Sequence, residues 1–330
     1  MSTSTGARLG RYVSTQTLLL LAVYALMVVV FTAINRTFFS TAVAGNILQD
    51  WGPIVLMAVG QTYVIVSGGI DLSVGGTLGI AGVTSALVMQ RLTEAGQASA
   101  LTIALGTCIA AGTGVLVGLL NGLLINRLHL VPFIATLATM GGTEGLSLVI
   151  TGGTPVAGGP IAGITFGSTT YLGLFTVPVM IVMVIVLVAG LFLHKARLGR
   201  WTFAIGSSPF ASRGAGINVE RQVYKIYVLS GLLSGLAGMF VYLRLGSGSA
   251  SSGVGQELQA IAAVVIGGAS LYGGVGRMAG TVIGALIVTT VLSGLIIVGV
   301  QANWQQVVIA VIIVLAVASQ GLGGLQRKAR

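Results

Sequence analysis

One carboxylate, Asp71, sits in a run that is otherwise apolar and glycine-rich, residues 65–82 reading IVSGGIDLSVGGTLGIAG. A charge at membrane depth costs roughly 2.5–3.5 kcal/mol on insertion scales, so it needs a partner, a water cavity or an aqueous end. The doublets Gly68–Gly69 and Gly75–Gly76 let helices approach closely and let a helix break where it lines a cavity. Two uses are open to such a carboxylate. It can cap the following helix, whose dipole favours negative charge at its N-terminus. Alternatively it can bind a proton or Na+ in an ion-coupled secondary carrier or channel. The carboxylate set into a glycine-broken helix points to a transport protein.

Enzyme chemistry finds little to work with, and no catalytic residue is assigned. An intramembrane serine protease needs G-x-S-G, and the Ser-Gly pairs at Ser230, Ser234 and Ser293 all lack the first glycine. His129 and His194 fall at span ends, Asp71 has no second mid-membrane aspartate with which to share a proton, and no Cys/His/Asp cluster has metal-ligand spacing. None of Lys195, Lys225 and Lys328 follows a phosphate-cradling glycine loop, so the chain carries no ATPase motif. Cys108, the only cysteine, is expected to be a small apolar packing residue.

The elements that must position these groups are membrane helices. Of 330 residues, 55% are hydrophobic and only 7% charged, against about 25% charged in a soluble domain. The fold class expected is an all-α polytopic membrane protein with about ten transmembrane helices. The spans are Thr17–Ala33, Pro53–Gly69, Val74–Met89, Leu101–Ile125, Val131–Ile150, Leu174–Leu193, Tyr224–Leu243, Leu258–Leu271, Ala279–Val300 and Trp304–Ser319. The eighth is short, and the second and third are close enough to form one broken unit. The first, without a small-residue cleavage site after it, reads as an uncleaved helix. With both termini cytoplasmic, thirteen of the sixteen Lys and Arg residues face inward; only Arg36, Arg91 and Arg244 do not. The net charge of +10 therefore sets topology against anionic lipid and does not indicate nucleic acid. The organisation expected is a cytoplasmic tail over 1–16, one transmembrane domain over 17–320 and a basic cytoplasmic tail over 321–330.

Two further patterns stand out. VIGGASLYGGVGRMAGTVIGAL (265–286) echoes the Asp71 segment with a one-residue shift, a possible internal duplication with parallel copies. The longest polar region, 194–225, carries Trp201, Phe203 and Phe210 among charges, with a Ser-Pro helix start at Ser208–Pro209. It reads as a short helix lying along the membrane, either docking a partner or simply amphipathic.

Four segments resemble the permease subunits of the ribose-type, binding-protein-dependent ABC importers, the group handling ribose, xylose, arabinose, galactose, inositol and the furanosyl autoinducer. They are GQTYVIVSGGIDLSVG (60–75), NGLLINRLHLVPFIATLATM (121–140), TGGTPV (151–156) and ARLGRWTFAIGSSPFASRGAGINVERQVYKIYVLSGLLSGLAG (196–238). The family signature covers Gly68, Gly69, Asp71, Leu72, Ser73 and Gly75. The resemblance implies a pore made by two copies, or by this chain and a paralogue. It also implies ABC ATPase subunits that hold ATP and Mg, and a periplasmic or extracellular sugar-binding protein. The cytoplasmic coupling helix would present Pro209, Phe210, Ala211, Arg213, Gly216 and Ile217 to the ATPase. Gln61, Tyr63, Asn121, Phe133 and Thr136 are candidates to line the sugar pathway, each with interhelical packing or hydrogen bonding as the plainer role. The chain departs from the family pattern twice. Phe210 stands where an acidic residue usually begins the docking motif, and Glu144 stands where Arg is expected.

Overall fold

A computed structural model describes residues 15–301 and 303–328, with side chains described for Gln16–Ile34 and onward to 318 except positions 302 and 316. Most of the expected N-terminal tail (1–14) and the end of the basic C-terminal tail (329–330) lie outside the described residues. The chain is an all-α polytopic membrane protein. Among the described residues there are thirteen α-helices: α1 (Thr15–Ile34), α2 (Thr41–Val66), α3 (Ser73–Glu94), α4 (Ser99–Arg127), α5 (Pro132–Thr151), α6 (Ile161–Ser168) and α7 (Val177–Lys195) come first. They are followed by α8 (Arg197–Ser207), α9 (Pro209–Gly214), α10 (Val219–Leu245), α11 (Gln256–Ile266), α12 (Met278–Ile297) and α13 (Trp304–Lys328).

Eight of these are long and apolar enough to cross a membrane, against the ten spans expected. The difference lies in the last third. The span expected at 258–271 is the 11-residue α11, whose length of about 16 Å at 1.5 Å per residue is half a hydrocarbon core. In α13, which runs to Lys328, the apolar stretch Trp304–Leu315 falls within the expected tenth span. The second span begins well before Pro53, at Thr41, with Pro53 inside the helix. Polar Asn46, Gln49 and Asp50 masked that first half in the sequence. Two short antiparallel ladders, Val156–Ala157 with Ser247–Gly248 and Thr170–Tyr171 with Phe175–Thr176, were not expected.

The core forms around α2, which is apolar on every face and buried throughout 51–66. It packs against α7, α10, α11 and α12, and polar bonds tie it to α7 and α12. Tyr63 Oη donates to the Ala189 carbonyl at 2.6 Å, the Thr62 and Thr281 hydroxyls are 2.8 Å apart, and Trp51 Nε1 donates to the Val282 carbonyl at 3.3 Å. Along α4 and α10 the contact is backbone to backbone. A Cβ on Gly114 would strike the Gly231 carbonyl, one on Gly231 would strike the Gly114 carbonyl, and one on Gly118 would strike the Tyr227 carbonyl. With no hydrophobic drive between helices in lipid, such close approach supplies the packing energy. Cys108, by contrast, is an exposed residue of α4 rather than a packed one.

Two helices stop inside this bundle. After α2, the Gly68 N–H bonds to the Ile65 carbonyl (2.9 Å) and Gly69 N–H to Val64 (3.0 Å); after α11, Gly268 N–H bonds to Val265 (3.0 Å) and Ala269 N–H to Val264 (3.2 Å). Gly68 has φ +90° and Gly268 φ +88°, a left-handed conformation that closes a helix and favours glycine. The echo seen in the sequence is thus a repeated stop with the same bonds. Its register sets Gly68 against Gly268, the first glycine of one doublet against the second of the other. The two breaks meet: Gly274 N–H donates to the Val66 carbonyl at 2.9 Å.

A Gly231→Val variant is expected to destabilise the chain by about 1–3 kcal/mol, because α4 and α10 must separate. Gly112→Ala, on the open face of α4 with no atom within 4 Å of its new Cβ, should stay within about 0.5 kcal/mol. Thermal unfolding of both variants in detergent checks the contrast, and equal effects would contradict the packing described.

Candidate functional site

The first break, 67–72, is held by a polar cluster built from five helices. Asp71 is 1% exposed. Its Oδ1 accepts from Ser73 N–H (3.0 Å) and Ser73 Oγ (2.6 Å), and its Oδ2 accepts from Ser230 Oγ of α10 (2.7 Å). Asn121 Nδ2 of α4 donates to Ser73 Oγ at 2.7 Å, and Thr139 Oγ1 of α5 donates to Asn121 Oδ1 at 2.6 Å. Leu72 N–H donates to Thr136 Oγ1 at 3.1 Å. The Gln61 amide of α2 faces the Asp71 peptide; oriented to satisfy both, its nitrogen donates to the Asp71 carbonyl and its oxygen accepts from the Asp71 N–H, each at 3.2 Å. The Asp71 peptide and the Leu72 and Ser73 N–H groups thereby find partners, as the interior of a membrane requires.

This geometry gives Asp71 the bonds of a helix cap together with a tie to α10. Three of its roughly four acceptor positions are taken. Gly69 and Gly75 leave the space for it: a Cβ on Gly69 would stand 2.7 Å from Tyr227 Oη, and one on Gly75 would strike the Glu257 carboxylate. Of the residues considered for a sugar pathway, Gln61, Tyr63, Asn121 and Thr136 are buried at 0–1% exposure, with side-chain polar atoms bonded inside the chain. Phe133, at 48%, is exposed on α5.

The second group of residues lies on α8 and α9. Ser208 Oγ accepts from Ala211 N–H at 3.2 Å, starting α9 with Pro209 in its first turn. Gly216, at φ +80° with open space around its Cα, ends the turn, and Ile217 N–H closes on the Ser212 carbonyl at 3.0 Å. Only Ser212 of α9 is buried, while Phe210 is 88% exposed. Arg213 Nη2 pairs with Glu220 Oε1 at 2.9 Å, between two well-exposed side chains. Pro209, Ala211 and Gly216 are exposed beside them, and Ile217 is half-buried.

α8 is fixed firmly to the bundle. Gln222 Nε2 donates to the Leu198 carbonyl (2.8 Å) and to Thr202 Oγ1 (3.1 Å), and His194 stacks 6.2 Å from Phe203 while accepting from Met278 N–H at 3.3 Å. The end of α8 touches both breaks. A Cβ on Gly206 would strike the Val66 carbonyl and come within 2.5 Å of Gly274 N, and one on Gly273 would stand 2.8 Å from the Gly206 carbonyl. Sequence reasoning missed Gly206, Gly273 and Gly274 in this role. Their only signal was glycine where a loop would accept any small residue.

Residues 43–317 match the family model described as branched-chain amino acid transport system / permease component. The chain belongs to this permease family. It is similar to the ribose import permease protein RbsC of Escherichia coli strain K12, 41% identical over 302 residues covering 90% of this chain and 91% of that protein. It is also similar to the galactose/methyl galactoside import permease protein MglC of the same strain, 34% identical over 321 residues, 93% of this chain and 95% of that one. The probable ABC transporter permease protein y4mJ of Sinorhizobium fredii is 36% identical over 275 residues, 82% of this chain and 79% of y4mJ. No solved structure matches.

The permease is a multi-pass protein of the bacterial inner membrane. Family membership supports a pump-driven permease and not the ion-coupled carrier considered for Asp71, whose oxygens are taken up by Ser73 and Ser230. Ser230, Thr139 and Ser73 complete the cluster; Ser73 belongs to the family signature, whereas Ser230 and Thr139 carry no signal beyond being polar in apolar runs.

Asp71→Asn keeps an acceptor for Ser73 N–H and gains a donor for Ser230 Oγ, so most uptake and stability should survive. Asp71→Ala leaves a buried N–H and two hydroxyls unmatched and should cost about 1–3 kcal/mol for each group stranded. Uptake and thermal unfolding of both variants are the measurements. Abolished uptake in a stable Asp71→Asn chain would show that the charge itself is used.

Proposed function

We propose that this chain is the membrane-spanning permease of an ATP-binding-cassette importer for a monosaccharide or a related polyol or furanosyl compound. The observation that carries the reading is the α8–α9 segment. It is an exposed, capped helical turn with Phe210 projecting from it, attached through α8 to both helix breaks. An isolated amphipathic helix has no reason to be fastened at its inner end to the middle of the bundle. A docking element that transmits force does.

On this reading the ATPase subunits hold ATP and Mg, and this chain, without a phosphate-cradling glycine-lysine loop, hydrolyses nothing itself. The ATPase takes α9 into a groove, with Pro209, Phe210, Ala211, Arg213, Gly216 and Ile217 at the contact. A hollow of about 240 Å³ beside it, lined by Trp201, Gly216, Asn218, Arg221, Gln222 and Lys225, supplies positive charge for acidic side chains of that partner. The α8–α9 end is cytoplasmic, in keeping with the Lys and Arg residues concentrated there. A soluble sugar-binding protein delivers substrate to the other end, and a second copy of this chain or a paralogue completes the pore within the lipid. Sugar, rather than the amino acid of the family description, follows the printed names of the ribose and galactose relatives.

Gly216→Arg places a long charged side chain, at a φ of +80°, on the exposed docking face. The variant should insert and fold, yet lose the co-purifying ATPase and fall to background uptake. Gly216→Ala carries the same backbone strain, about 1 kcal/mol, without the bulk, and should retain the ATPase. ATP-driven uptake by the Gly216→Arg chain would show that docking occurs elsewhere.

A further inference from the structure

At the end of the bundle opposite α8 and α9, helices α2, α10, α11, α12 and the start of α13 surround a cavity of about 300 Å³. A charged pair stands at its wall: Arg244 Nη1, in the last turn of α10, donates to Asp50 Oδ1 of α2. The two side chains are 27% and 45% exposed, so the pair is neither sealed in the core nor free in water. Two glutamines one turn apart on α11, Gln256 and Gln259, and two hydroxyls one turn apart on α12, Thr289 and Ser293, line the same space. Gln256 Nε2 is spent on the Ser252 carbonyl at 2.7 Å, but its Oε1 is buried with no partner. Pro53, Ile54 and Leu292 give the cavity an apolar wall.

Nothing in the docking function or in the Asp71 cluster uses these groups. A half-buried charged pair is costly to keep without further partners, and an unpartnered buried amide oxygen costs further. Both costs are relieved by a ligand that donates and accepts at once. The net charge of the lining is zero, which disfavours an anion at Asp50 and a cation at Arg244 alike. A carboxylate accepts from two adjacent hydroxyls, a guanidinium donates to their oxygens, and glutamine does both. The apolar wall suits the C–H face of a sugar ring. The volume stands at the small end of ligand pockets, roughly 300–1,000 Å³, and suits one monosaccharide rather than a longer saccharide.

We propose that this cavity binds one small uncharged polyol on its way through the permease, with ligand hydroxyls bridging Asp50 and Arg244 and engaging Gln256 and Gln259. The proposal rests on the sugar-permease reading.

The test uses the assembled complex with its ATPase in proteoliposomes, in a Cys108→Ala background that leaves no other thiol in this chain, and labelling is read on this chain after separation of the subunits. Uptake of radiolabelled ribose, galactose and xylose by the parent complex is measured first. Ser293→Cys is then modified with a membrane-impermeant methanethiosulfonate reagent. The sugar that is transported, at twice its half-saturating concentration, should slow modification about threefold, and a monosaccharide that is not transported should have no effect. Gln259→Ala should raise the KM for uptake about tenfold, the loss expected when one hydrogen bond to substrate is removed. Where Ser293→Cys does not assemble, Gln259→Cys carries the same labelling. Transport of a sugar that neither protects the thiol nor shows a raised KM in Gln259→Ala overturns the site while leaving the sugar reading intact. So does a thiol blocked equally with and without sugar, since the cavity would then be covered by another subunit. A parent complex that takes up no monosaccharide overturns the sugar reading itself and the polyol assignment with it.

Discussion

Inside a bilayer no water is available to a peptide group that leaves a helix, so every break in a membrane helix must be satisfied by the protein itself. This permease stops two helices within its bundle, at 67–72 and 267–277, and much of its interior follows from that. Gly68 and Gly268 close their helices on carbonyls a turn back, using bonds that match across the two segments. The side chains of Asp71, Gln61 and Thr136 bond peptide groups at the first break, and the second break donates to the first through Gly274. The polar side chains that look, in sequence, like a pathway through the membrane are largely occupied in holding these breaks shut.

The same constraint explains where force can enter. A continuous helix resists local displacement, because moving one turn strains the hydrogen bonds of the next. A break has no such ladder, so it can be shifted by a contact at its edge. The end of α8 makes that contact with both breaks at once through Gly206, in a fit so close that no side chain fits there. The turn α9, proposed above to dock the ATPase, follows immediately and is held in shape by Ser208 and Gly216. On the docking role proposed for α9, a movement of that turn would reach the bundle core at both breaks through Gly206. The Asp50–Arg244 cavity lies at the far end of the same helices, α2 and α11, that end in those breaks.

The membrane class, most helices and the Asp71 break were legible in the sequence because they rest on composition and on glycine spacing, which act locally. The Ser-Pro start and glycine end of α9 were legible for the same reason. Long-range partners were not. Nothing adjacent to Ser230 announces that its hydroxyl meets Asp71 across 159 positions. α11 was misjudged as a full span because an apolar run does not reveal where a helix stops when the residues after it are also apolar or glycine. The first half of α2 was missed for the opposite reason, since its polar residues interrupt the apolar run; Asp50 finds its place against Arg244 and the cavity.

The connection from docking turn to helix breaks is open to direct measurement by hydrogen exchange on the purified complex of permease and ATPase. Peptides covering 67–72, 206–217 and 267–277 are compared between the nucleotide-free complex and one trapped with ATP. The two breaks should change protection together with the docking segment. A change confined to 208–217, with both breaks unaltered, would contradict the transmission of movement through α8.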